Sequence, residues 1–151
     1  MIPTNKRNKM NNPILRGILA VLAGIFIGGM VNMALIMISS SVIPPPVGAN
    51  LKTMKGLQAA MHLMEPKHFL MPFLAHALGT LVGAFVAASI VAQSKMRYAL
   101  GISAWFLMGG IMSVCMLPSP LWFTLVDLIG AYLPFGYVGY LLSSNFIAKE
   151  K

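Results

Sequence analysis

The chain has 151 residues, 58% of them hydrophobic and only 9% charged, where a soluble domain carries about 25% charged residues. A globule this small leaves much of its surface exposed and could not hide so many apolar side chains, so the composition excludes a soluble fold and predicts an all-α integral membrane protein. The formal charge of +8 does not point to nucleic acid, because no basic helix face recurs and Lys and Arg sit between the apolar spans.

In chain order, residues 1–16 form a basic segment with Lys6, Arg7, Lys9 and Arg16. The apolar run behind it is too long for a cleaved signal core, and no A-x-A site follows, so it reads as a retained helix. Crossing the hydrocarbon takes roughly 20 mainly apolar residues. Four stretches qualify, at about 17–39, 69–92, 99–117 and 121–142, leaving an outer loop at 40–68 and a tail at 143–151. The expected architecture is a four-transmembrane-helix bundle forming one membrane domain.

Lys95, Arg97, Lys149 and Lys151 join the N-terminal cations on one side, against only Lys52, Lys55 and Lys67 on the other. The bias predicts both termini in the cytoplasm, in a bacterial-type inner membrane, with the lipid bilayer as the first partner. Trp122 and Phe123 read as outer-interface anchors, Tyr98 and Tyr140 as inner ones.

The outer loop opens with "SSSVIPPPVGAN", whose three prolines make a stiff, extended piece. "NLKTMKGLQAAMHLMEP" then predicts a short amphipathic helix, with Asn50 as cap and Pro66 as stop. Leu51, Met54, Leu57, Met61 and Met64 fall on one stripe, expected to lie on the membrane surface or, as the sharper reading, to dock a partner.

Inside the spans, Asn32, His76 and Asp127 each sit roughly 10 Å below the outer boundary at 1.5 Å per residue, with Ser113 somewhat shallower. Ionisable groups in hydrocarbon are costly and normally face the bundle interior, where they find partners. An imidazole beside a carboxylate titrates with it as a unit. Gly24 and Gly28 lead to Asn32 at four-residue steps, and Gly79 and Gly83 share a face with His76, so small residues allow close helix approach there. Pro134 lies seven residues beyond Asp127 on almost the same face and predicts a bend near Gly130, a tolerated kink or a hinge. "FIGGMVN" and "FLMGGIMS", with "HALG" and "DLIG", suggest two parallel-repeat hairpins.

His62, Glu65 and His68 are weak metal candidates, since Pro66 breaks the helical register and no H-E-x-x-H or cysteine pair supports them. The 13 methionines raise copper, but most lie within spans, where packing explains them. No metal site or cofactor is therefore expected. The leading functional expectation is a non-enzymatic accessory or scaffold subunit, a homo-oligomer or a component of a larger membrane complex. The alternative is an oligomeric transporter or proton-linked carrier using His76 and Asp127. Last comes a membrane-embedded enzyme around Cys115 and His76.

Overall fold

A computed structural model describes residues 12–148, with side chains placed through residue 145. Lys6, Arg7, Lys9, Lys149 and Lys151, on which much of the charge bias rests, lie outside the described residues. The described chain is all-helical: α1 (Pro13–Val42), α2 (Met54–Ala60), α3 (Leu70–Ile90), α4 (Lys95–Met116), α5 (Leu121–Gly130) and α6 (Leu133–Ala148). Four helical stretches are long and apolar enough to cross a membrane, Pro13–Val42, Pro66–Ile90, Lys95–Met116 and Leu121–Asn145, which marks a membrane-integral protein.

Each span runs beyond its apolar window at one end or both for a simple reason. Hydropathy marks only the hydrocarbon-matched part, whereas a helix continues until its backbone is stopped. Asn12 starts α1 by accepting the Ile14 N–H at 3.0 Å, with Pro13 in the first turn, where its missing donor costs nothing. α4 begins at Lys95, directly after Ser94 in the left-handed region.

α3 is the hub, packed against α1, α4 and α6. Its buried positions are mostly small: Ala75, Ala77, Gly79, Gly83, Ala84, Ala87 and Ala88. Against α1 the backbones touch. A Cβ on Gly28 would come 2.6 Å from the Gly79 carbonyl oxygen, and one on Gly24 2.7 Å from that of Gly83. Without a hydrophobic drive between helices in lipid, this close backbone approach is what holds them together.

The last crossing is interrupted. α5 ends at Gly130 and α6 starts at Leu133, with Ala131 and Tyr132 buried in the gap. The expected bend is thus a full break, one step beyond Gly130. Pro134 is the second residue of α6, a position that tolerates the lost amide.

The loop departs from expectation in two ways. Thr53, not Asn50, caps α2: its Oγ1 accepts from Gly56 N at 3.1 Å. Asn50 instead accepts from Lys52 N at 3.0 Å, a local turn that holds residues 50–52 out of the helix. In addition, Gln58 Nε2 donates to the Met116 carbonyl at 2.7 Å, tying α2 to the end of α4. The segment is therefore folded back over the bundle. Leu51, Leu57, Met61 and Met64 of its stripe are half-buried and Met54 stays exposed, while the end of α4 supplies the free carbonyl that Gln58 needs. His68 Nε2 donates to the Pro44 carbonyl at 3.1 Å while its Nδ1 accepts from Glu65 N at 2.9 Å. That bridge pins the proline run to the start of the second crossing.

Candidate ligand cavity and its histidine–aspartate pair

His76 on α3 and Asp127 on α5 lie on the bundle side of their helices, and their side chains meet. His76 Nδ1 is 2.8 Å from Asp127 Oδ1 and 2.9 Å from Oδ2. Asp127 is 2% exposed, so a lone carboxylate there would carry a penalty of several kcal/mol. A second partner comes from the helix break, where Tyr132 Oη donates to Asp127 Oδ2 at 3.2 Å. The Tyr132 ring stacks on His76 at 5.6 Å between centroids and rests against Gly110, where a Cβ would strike the phenol. Thr80 Oγ1 donates to the His76 carbonyl at 2.7 Å, one turn along α3.

His76 and Asp127 border a cavity of about 720 Å³ toward the loop end of the bundle. Asn32, His76, Ser113 and Asp127, from four different crossings, all line it. Among the described residues, neither the Asn32 amide nor the Ser113 hydroxyl has a hydrogen-bond partner. The structure thus brings the four polar residues to one space but joins only two of them. Tyr132, not Asn32 or Ser113, completes the Asp127 carboxylate. Sequence reasoning missed Tyr132 because a tyrosine five residues past an acid in a regular helix points elsewhere. Only the break at residues 131–132 turns it inward.

Leu51, Met54, Leu57, Met61 and Met64 form the loop side of the cavity wall. The stripe expected to lie on the membrane surface or to dock a partner thus borders this cavity, with Met54 still exposed. Phe69, Trp122 and Phe123 close the join between α3 and α5, with centroids 5.5 Å (Phe69–Trp122) and 4.7 Å (Phe69–Phe123) apart.

Of the remaining candidates, His62 and Glu65 do not line the cavity. Glu65 pairs with Lys67 at 2.9 Å, and that neighbour, with a smaller contribution from the His68 side, holds its carboxyl below the usual 4.5. His68 borders the cavity but is committed to Pro44 and Glu65. Among the described residues no three His, Cys, Asp or Glu side chains converge on a metal position. Cys115 is exposed and is not part of the cavity wall, so the structure does not bring it to His76.

No protein-family model, curated protein or solved structure matches this chain. The functional reading therefore rests on the geometry alone.

A volume of 720 Å³ falls in the range of small-molecule sites, which are mostly apolar with a few placed polar groups. An imidazole meets a carboxylate, a phenol supports the carboxylate, and the second imidazole nitrogen is left over for a ligand.

Proposed function

We propose that this chain is a small membrane carrier that takes its solute into the cavity and couples it to a proton on the His76–Asp127 pair. The observation that carries the reading is the cavity itself: interhelical glue requires the hydrogen bond between α3 and α5, but not an open space beside it. The space lies within one chain, so an oligomer is not needed to enclose it. With the cytoplasmic termini favoured by the cation distribution, the cavity faces the outer side of a bacterial-type inner membrane. A net charge buried in hydrocarbon is expensive, which favours swapping one cation for another over charging the site.

The test needs no knowledge of the solute. Proteoliposomes on a capacitive electrode are given a step in external pH. Wild-type protein should produce a transient charge displacement as protons enter or leave the pair, and Asp127→Asn should remove it. A transient of equal size in the variant would overturn the reading.

A second reading, an accessory subunit, is favoured by α1. Leu22, Phe26, Met30 and Met37 form an exposed stripe along it, a face suited to a partner helix or a second copy of the chain. Cross-linking from positions on this stripe in native membranes should capture that partner, and exclusive monomer would dismiss it.

A further inference from the structure

We propose that the solute of this cavity is a soft monovalent metal cation, Cu(I), held by His76 Nε2 and methionine thioethers. The inference deepens the carrier reading and rests on it.

The first part of the argument is the imidazole. Asp127 engages Nδ1, and no hydrogen bond reaches Nε2 among the described residues. Since no buried side-chain N or O atom there lacks a partner, Nε2 is not sealed off, and its ring borders the cavity. A histidine whose Nδ1–H is held by a carboxylate presents Nε2 in the orientation and basicity of a metal ligand.

Charge supplies the second part. Among the described residues Asp127 is the one acidic group of the cavity wall, with Lys52 and His68 at the loop wall and Tyr132 behind the carboxylate. One carboxylate facing a lysine favours a monovalent over a divalent ion, because each further charge brought into hydrocarbon is costly. Binding the ion changes no oxidation state.

The third part is the wall. Met33, Met54, Met61, Met64 and Met71 all line the cavity, five of the chain's 13 methionines. They come from α1, the loop and the start of α3, so no single helix face accounts for them. Thioether with imidazole is a donor set for Cu(I) and its redox-inert analogue Ag(I), and a poor one for Na⁺ or K⁺. Packing accounts for methionines inside the spans, but Met54, Met61 and Met64 lie in the loop.

The experiment titrates Ag⁺ into detergent-solubilised full-length protein carrying Cys115→Ala, which removes an exposed competing thiol. Calorimetry reads the stoichiometry, and one Ag⁺ per chain is expected. Met61→Leu with Met64→Leu, outside the membrane crossings, should weaken binding about tenfold or more while leaving the helical content unchanged. Silver binding indifferent to the two methionines would be adventitious and would overturn the proposal. If Ag⁺ fails to bind but n-hexylammonium abolishes the pH-step transient, the solute is an organic cation: the carrier stands and the metal falls. Methionine-dependent Ag⁺ binding without any pH-step transient would support the cation site and sink the carrier instead.

Discussion

Asp127 is held by an imidazole on one side and a phenol on the other, and the two contacts differ in kind. The carrier reading assigns proton exchange to the His76 contact and only support to the Tyr132 hydroxyl, which donates at 3.2 Å. Tyr132→Phe keeps the ring stacked on His76 and against Gly110 but strips the carboxylate of one donor. Hydrogen bonds to charged groups contribute about 1.5–3 kcal/mol, so unfolding in mixed micelles should show a loss of that order. The pH-step transient should persist in this variant, since the proton-exchanging pair is intact. Loss of the transient with full stability would place Tyr132 in the proton path and contradict its role as a support. Depth alone made His76 and Asp127 readable as neighbours in the sequence. Tyr132 was not readable, because its direction depends on two non-helical residues within an otherwise uninterrupted apolar run.

Each helix presents its small residues unequally, and the two Gly-Gly pairs make the point. In α1 the buried member is Gly28, whereas in α4 it is Gly110. Gly28 meets the α3 backbone and Gly110 meets Tyr132, so similar motifs perform different packing tasks. Gly28→Ala must push its Cβ into the Gly79 carbonyl at 2.6 Å, and backbone cannot swing aside as a side chain can. A destabilisation of about 1–3 kcal/mol is expected. Gly29→Ala has nothing within 4 Å and should be neutral within about 0.5 kcal/mol. Measured side by side by unfolding in mixed micelles, equal effects would refute the α1–α3 packing. The GxxxG spacing was legible as a close-packing face. Which helix it packs against was not, since every helix here carries some glycine or alanine.

On the scale of the whole molecule, the loop decides how open the cavity is. A single side-chain hydrogen bond, Gln58 to Met116, joins α2 to α4 across the cavity's loop side. Gln58→Ala should loosen that closure. With a net worth of about 0.5–1.5 kcal/mol for the bond, the labelling rate of Ser113→Cys by an impermeant thiosulfonate, in a Cys115→Ala background, should rise about 2- to 10-fold. An unchanged rate would mean that the segment does not limit access.

The sequence by itself determined the class of the molecule, the approximate crossings, the glycine faces and the common depth of Asn32, His76 and Asp127. All of these follow from hydrophobicity and helical rise, which are properties of a chain read residue by residue. Only the tertiary structure decided that the last crossing breaks at Ala131–Tyr132 and that the loop stripe borders the cavity. It also decided that methionines far apart in the chain share one space with the His76–Asp127 pair. A helical period says which residues lie on the same side of one rod. How the rods are rotated against each other, and where the 27-residue connection between α1 and α3 folds, is settled by contacts between groups distant in the chain.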